Sequence, residues 1–315
     1  MQNLDHHPHK PVLLEEVTSK LITDVNGLYF DCTIGFAGHS IKLLDRIEKN
    51  GKLFGIDYDP YALEYSRKRL SQTGKNFELF LSNYSDLKKI ASSHKIKSID
   101  GILFDLGISS YQVDSGYKGL SYKIDSPLDM YLGLNNKTNL KDLLHSSTES
   151  EVADIIYKYG EEKNSRKISK SIYESIKKNE METNNDLVKS IENVTPKRYL
   201  NKTLSRVFQS FRIIVNNELK NLVTSILDAI HLLSPGGRMG VITFHSLEDR
   251  LIKNIFRDFS RDGDSMIKRM GYDYSYECKK MLKLITKKPI SPSWNEIKNN
   301  KRARSAKLRI VERLI

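Results

Sequence analysis

The chain is poor in the features that stabilise or anchor whole classes of protein. It has two cysteines, Cys32 and Cys278, in 315 residues and no CxxC pair, so neither a disulfide scaffold nor a zinc site is indicated. No apolar run approaches the length of a membrane span. Residues Met1 to Lys10 are polar and histidine-rich, unlike a secretory signal, and the expectation is a soluble, cytoplasmic protein. No G-x-S-x-G elbow surrounds Ser246, and His245-x-x-Glu248 lacks the H-E-x-x-H pattern. Both absences argue against a hydrolase of the serine or zinc type, and no metal is expected. Acids are outnumbered as well: 51 Lys and Arg face 39 Asp and Glu, a net charge of +12. That excess fits an acidic partner such as nucleic acid, and it equally fits a lysine-rich solvated surface.

What is present centres on Asp31-Cys-Thr-Ile-Gly35-Phe-Ala-Gly38-His39-Ser40. The apolar run Leu28-Tyr29-Phe30 precedes it, and Ile41 to Leu44 follow with helical spacing. This is a strand, a tight glycine turn and a helix start, where backbone N–H groups can approach an anion. Lys52 to Asp57 reads as a second strand ending in an acid, about 20 residues beyond the turn, an arrangement that holds a ribose hydroxyl pair. Pro60 opens a helix that runs to Leu70. Phe77–Leu81, leading to Tyr84, and Ile99–Asp105 read as the third and fourth strands. Strands alternating with helices imply a parallel sheet whose ligands sit outside the carboxyl ends of its strands. Asp31, Asp57, Tyr84 and Asp105 all fall at or just beyond such ends. Asp31 reads equally as a cap for the turn.

From about Ser126 to Asn201 the character changes to helices rich in Lys, Asn and Ser. Thr148-Glu-Ser-Glu151 is a capping box, with Gly160 as the expected stop, and Thr183-x-x-Asp186 opens another helix. An apolar stripe from Leu204 to Ile230 spans two helices, with Asn216 as a cap between them and Phe208 and Phe211 as core residues. Ser234-Pro-Gly-Gly237 is expected to turn into a fifth strand, Arg238–Phe244. Ser246 with Asp249 reads as a capping box, leaving His245 as either a packed core residue or a substrate-side contact. Lys280–Thr286 and Ala306–Val311 are candidate strands, separated by a basic loop with the only tryptophan, Trp294, and the run Lys301-Arg-Ala-Arg304. The expected organisation is an α/β domain at 1–125 and 217–315 with a helical insert at 126–216.

These motifs, taken in order, resemble the bacterial small-subunit ribosomal RNA N4-cytosine methyltransferase family of the MraW/RsmH type. The match is carried by His9-x-Pro-Val-Leu-Leu, Asp31-x-Thr-x-Gly35-x-x-Gly38-His39-Ser40 and Gly55-Ile-Asp57-x-Asp59-Pro60. It continues through Asp100-Gly-Ile-Leu-Phe-Asp105-Leu-Gly-Ile-Ser-Ser110-x-Gln112-x-Asp114 and Gly119-x-Ser121-Tyr-x-x-Asp125-x-Pro127-Leu-Asp129-Met130. The last elements are Arg206-Val-Phe-Gln209-x-x-Arg212, Asn216-x-Glu218-Leu219, Phe244-His-Ser-Leu-Glu-Asp-Arg250 and Arg304-Ser-Ala-Lys-Leu-Arg309. The resemblance implies a Rossmann-like class I methyltransferase sheet, S-adenosylmethionine as cofactor, and 16S rRNA in the small ribosomal subunit as partner. A homodimer is left open.

The resemblance further implies roles for single residues. Gly35, Ala37, Gly38 and His39 would lie along the methionine end of the cofactor, Asp57 would take the ribose hydroxyls, and Tyr84 would flank the adenine. Asp105 and Gln112 would complete the pocket, Asp105 either assisting the attacking nitrogen or binding cofactor only. Ser109, Ser110 and His245 would face the substrate, with Lys301, Arg302, Arg304 and Lys307 holding the RNA backbone. Three positions depart from the family pattern. Ala37 replaces a usual glycine, which suggests that this position needs no positive φ, while Tyr111 replaces Pro and Leu120 replaces Phe beside the expected base pocket. Two rival readings are a dinucleotide-dependent dehydrogenase and a non-catalytic ribosome-assembly factor. The first expects G-x-G-x-x-G where this chain has Gly35-x-x-Gly38-His39.

Overall fold

A computed structural model describes residues 10–109, 112–113, 116–133, 138–263, 265–272 and 279–315. His9, Ser110, Tyr111, Asp114 and Cys278 lie outside the described residues. The chain divides into two compact units, Met1–Gly107 with Lys220–Ile315, and Ile108–Leu219. The first unit begins with α1 (Leu14–Leu21), β1 (Leu28–Asp31), α2 (Gly38–Arg46), β2 (Lys52–Asp57), α3 (Pro60–Ser71), β3 (Phe77–Leu81), α4 (Leu87–Ser93) and β4 (Ile99–Asp105). The second supplies α5 (Leu140–Ser146), α6 (Glu149–Gly160), α7 (Ser165–Lys177), α8 (Asn184–Glu192) and α9 (Lys197–Val215). Helix α10 (Glu218–Leu232) leads back to β5 (Leu233–Thr243), α11 (Ser246–Asp258), α12 (Met266–Arg269), β6 (Leu282–Leu284), α13 (Trp294–Asn299) and β7 (Lys307–Arg313).

The seven strands form one sheet in the order β3-β2-β1-β4-β5-β7-β6. β1 to β5 pair in parallel, and β7 runs antiparallel to both of its neighbours. The two late candidate strands therefore become β6 and β7. Helices cover both faces of such a sheet, so its central strands are apolar along their length rather than alternating. Leu53, Phe54, Gly55 and Ile56 of β2 are all buried, as are Ile102, Leu103 and Phe104 of β4. Chain order reverses beside β1, whose neighbours are β2 and β4. That switch point is where open α/β sheets bind ligands.

Ser234–Gly237 is not a turn before β5 but a register shift within it: Ile99 pairs with Leu233, whereas Gly101 pairs with Arg238. Ser234 Oγ donates to the Asp100 carboxylate at 2.7 Å and pins the irregular stretch to β4. The cap of α11 also differs from expectation. The helix starts at Ser246 itself, so the cap falls one residue earlier, on His245, whose Nδ1 accepts from Glu248 N at 3.4 Å. The Glu248 carboxylate accepts in return from Phe244 N at 2.9 Å. Asp249 instead faces β7, 2.8 Å from Arg309 Nε and 3.0 Å from Lys307 Nζ.

The second unit has its own core, which includes Leu120, Ile156, Ile172, Leu187, Phe208 and Phe211. Leu120, expected beside a base pocket, packs into this core. Capping boxes form at Thr148/Glu151 and Thr183/Asp186, as their spacing predicts. Asn216 caps α9, its Nδ2 donating to the Arg212 and Met130 carbonyls at 2.8 Å each. The helix does stop at Gly160, its last residue, although the left-handed residue that follows is Glu161; a Cβ added at 160 would come 2.7 Å from the Arg206 carbonyl of α9. Glycine there sets the α6–α9 separation. Among the described residues, no helix is long and apolar enough to cross a membrane.

In an exposed helix, Gly160→Ala would stabilise by about 1 kcal/mol. Here the backbone clash is expected to reverse the sign and cost about 1–3 kcal/mol, read as a lower denaturant midpoint; a raised midpoint would refute the packing role.

Candidate active site

The glycine turn is laid across the tips of three strands by backbone bonds. Cys32 N donates to Leu103 O of β4 at 2.9 Å, and Ile34 N donates to Ile56 O of β2 at 3.0 Å. Helix α3 holds the turn from behind. Ser66 Oγ donates to Gly35 O, and Arg69 Nη1 donates to Phe36 O, each at 2.6 Å. Ser66 and Arg69 lie three residues apart on one helix face. Nothing in their local sequence marks them, because their partners lie more than 30 positions away.

Ala37 corrects the sequence expectation. Its φ is +61°, in the left-handed region, although it carries a Cβ. That conformation costs an alanine roughly 1–2 kcal/mol, which the clamped Gly35 and Phe36 carbonyls just before it sustain. Gly35 also has positive φ, +49°. Gly38 does not need that freedom but needs the space, since an added Cβ would approach Pro11 Cγ to 3.0 Å.

Three carboxyls surround this turn, Asp31 buried and Asp57 and Asp105 half-buried. Asp31 is 1% exposed. It accepts from Ser40 Oγ at 2.6 Å and from Thr33 N at 3.2 Å, which is the capping role. Burial pushes its pKa up to about 6. Asp57, at the tip of β2, accepts from Gly35 N at 2.8 Å and from Asp59 N at 2.9 Å. Burial outweighs those two bonds and pushes its pKa up to about 7. Each of its oxygens keeps a lone pair for a further donor. Asp105, at the tip of β4, donates its backbone N–H to Thr33 Oγ1 at 2.6 Å. Burial, and then the nearby charges of Asp31 and Glu248, hold its carboxyl well above the usual range.

His39 joins this cluster from the first turn of α2. It is 5% exposed, with Nε2 2.9 Å from the Val12 carbonyl and Nδ1 3.5 Å from Asp105 Oδ2. A carbonyl only accepts, so Nε2 carries a proton. The other oxygen, Asp105 Oδ1, is buried and has no hydrogen-bond partner among the described residues. An unsatisfied buried acceptor of this kind is expensive, and it fits a site completed by a ligand donor. The N–H groups of the first turn of α2 open on the same stretch and favour an anion such as a carboxylate.

Tyr84 lies in a 3₁₀ turn (Tyr84–Asp86) just after β3, its ring edge-on to Phe104 of β4 at 6.1 Å. Ser82 N donates to Asp57 O at 2.9 Å and ties that turn to the tip of β2. The structure thus brings together Gly35, Ala37, Gly38, His39, Asp57, Tyr84 and Asp105. Gln112 and Ser109 belong to the second unit, where Gln112 Oε1 accepts from Ser109 N at 3.0 Å and Ser109 Oγ accepts from Gln112 N at 3.2 Å. His245 caps α11, with Nε2 3.1 Å from Glu248 Oε1. Lys301, Arg302 and Arg304 are exposed on a 3₁₀ turn (Lys301–Ser305), whereas Lys307 is half-buried and ion-paired with Asp249. Sequence reasoning missed Val12, Ser66 and Arg69, all of which act on partners remote in the chain.

Comparison with known proteins accords with this geometry. The sequence model of the MraW methylase family matches residues 6–314. The ribosomal RNA small subunit methyltransferase H of Fusobacterium nucleatum is 39% identical, the match covering 100% of this chain and 99% of that protein. The protein of the same name from Brevibacillus brevis is 41% identical, over 100% of both chains. The chain belongs to the MraW methylase family.

Because the strain at Ala37 comes from its Cβ, Ala37→Gly is expected to raise stability by up to about 1 kcal/mol. A thermal midpoint at or below that of the parent protein would show that the turn is not strained there.

Proposed function

We propose that this MraW-family chain transfers the methyl group of S-adenosylmethionine to N4 of a cytidine in the decoding region of 16S rRNA, acting on the small ribosomal subunit in the cytoplasm. The observation that carries this reading is Asp105 Oδ1, a buried acceptor left open at the β1/β4 switch point beside the start of α2. A dinucleotide-dependent hydride-transfer enzyme expects G-x-G-x-x-G, which the turn Gly35-x-x-Gly38-His39 does not carry. A purely structural assembly factor would have no use for an open buried acceptor.

In this reading the turn at Gly35, Ala37, Gly38 and His39 receives the amino-acid end of the cofactor, whose carboxylate meets the N-terminus of α2. Asp57 accepts the ribose hydroxyls through its remaining lone pairs, and Tyr84 flanks the adenine. Lys301, Arg302 and Arg304 hold the RNA backbone. Bound there, S-adenosylmethionine supplies a methyl group activated by its sulfonium.

The cytosine N4 lone pair is delocalised into the ring, which makes it a weak nucleophile. Asp105 Oδ1 would accept an N4–H bond and so raise electron density on nitrogen. As the N–C bond formed, the methyl–sulfur bond would break with its electron pair kept by sulfur, and the N4 proton would pass to Oδ1 and from there to solvent. His39 Nδ1 lies 3.5 Å from the other oxygen, so that Oδ1 is the face presented to the base. The remaining rate enhancement comes from alignment and from exclusion of water.

The direct test incubates the protein with methyl-labelled S-adenosylmethionine and small subunits lacking the modification, then maps the labelled nucleoside. N4-methylcytidine at one position is expected; no label, or label on a ring carbon, overturns the reading. In the same assay Asp105→Asn should lower turnover by at least about 100-fold while cofactor affinity changes little. Near-normal turnover would remove Asp105 from catalysis. An ionised carboxylate is the stronger acceptor for ribose hydroxyls, so cofactor affinity should rise as pH passes upward through about 7, where Asp57 ionises. Calorimetry between pH 6 and 8 should show a gain of roughly five- to tenfold, and the gain should vanish in Asp57→Asn.

A further inference from the structure

Trp294 is the only tryptophan in the chain and is 72% exposed. It opens the short helix α13, which Ser293 caps by accepting from Glu296 N at 3.2 Å. Its flanking residues Asn295, Lys298 and Asn299 are exposed and polar, so the indole is a single aromatic plate and not part of an apolar patch. Lys298 Nζ lies 5.3 Å from the ring centroid.

The surrounding charge has one sign. Between Lys287 and Arg304 the chain carries six cations, Lys287, Lys288, Lys298, Lys301, Arg302 and Arg304, and one acid, Glu296. All six cations are exposed. The acid turns away from them and accepts from Leu13 N at 2.8 Å. Asn300 Nδ2 donates to Lys10 O at 3.3 Å, and Ala303 is fully buried beneath the basic turn. These bonds fix the plate to residues 10–13, the same segment that grips the glycine turn: Val12 O meets His39 Nε2, and Pro11 packs on Gly38.

We propose that the exposed face of Trp294 is a stacking platform for one unpaired base of the RNA substrate, with Lys298, Lys301, Arg302 and Arg304 holding the adjoining phosphates. This rests on the reading of RNA as substrate and extends it to a subsite outside the methyl-transfer centre. An aromatic plate bordered by cations is the usual solution for single-stranded nucleic acid, because every base offers a π-face and every nucleotide a charge. A protein partner would instead require a contiguous apolar patch, which the polar residues around Trp294 exclude. The tether through residues 10–13 would set the platform in register with the cofactor turn, so that a stacked base fixes where the strand enters.

As the sole tryptophan, Trp294 reports on its own contacts. The full-length protein is titrated with a single-stranded decoding-region oligonucleotide, with the same strand annealed to its complement, and with heparin as a polyanion lacking bases. Saturable quenching by the single strand, with little change from the duplex or heparin, is expected. Unchanged emission, or equal quenching by heparin, would overturn the platform. Trp294→Ala should raise KM for RNA about tenfold while kcat and cofactor affinity stay within about twofold, and Trp294→Phe should restore most of the loss. An unaltered KM in Trp294→Ala would also overturn it. Quenching needs no turnover, so a protein that quenched but transferred no methyl group would refute the function proposed above and leave the platform standing.

Discussion

The structure depends on how one backbone turn is made to lie among three carboxyls. Asp57 accepts the Gly35 N–H, Asp31 accepts from Thr33 N and Ser40, and Asp105 hangs its own N–H on Thr33 Oγ1. A carboxyl taken out of water must be met by donors or take up a proton. Here the turn supplies the donors for two of the acids, and His39 Nδ1 stands 3.5 Å from the third. The strand tips and the turn consequently fix one another, which preorganises a site that loops alone would leave loose.

This arrangement also separates stability from function. Asp31 is satisfied by its own turn and has no lone oxygen without a partner, so it reads as architecture. Asp105 has one oxygen engaged with His39 and one left open, and the raised pKa of its carboxyl shows that the fold does not favour its charge. Strained or unsatisfied groups of this kind persist where the surrounding structure holds them and a ligand later compensates. The left-handed Ala37, clamped by Ser66 and Arg69 on its neighbours, belongs to the same pattern.

Family membership and the site geometry point in one direction, yet they rest on different grounds. The family match spans nearly the whole sequence, whereas the geometry isolates a handful of atoms within the first unit. The basic turn and Trp294 lie far along the chain from these atoms and are bonded to them through residues 10–13. Charge excess alone could not distinguish a solvated surface from a binding face. The exposed indole set among cations, with its one acid bonded to Leu13, is what the proposed base platform adds to that charge.

The strands, their acids and the helix caps at Thr148, Thr183 and Asn216 were legible in the sequence, because these follow from local periodicity and from residues within three or four positions of one another. The glycine turn, Asp57, Tyr84 and Asp105 were legible for that reason, as were the boxes at Thr148 and Thr183. Where a role depended on a neighbour distant in the chain, local pattern fell short. Gly160 does end its helix, but its need for glycine comes from the Arg206 carbonyl of α9; Ala37 takes positive φ because α3 holds the carbonyls before it, and the cap of α11 falls on His245 while Asp249 turns to Arg309 and Lys307. The tertiary structure alone decided that His39 faces Asp105 and that Lys307 is paired while Lys301 and Arg304 are exposed. Each of these is a matter of which groups are brought within about 3 Å of one another, and hydrogen bonds and packing act only at that range.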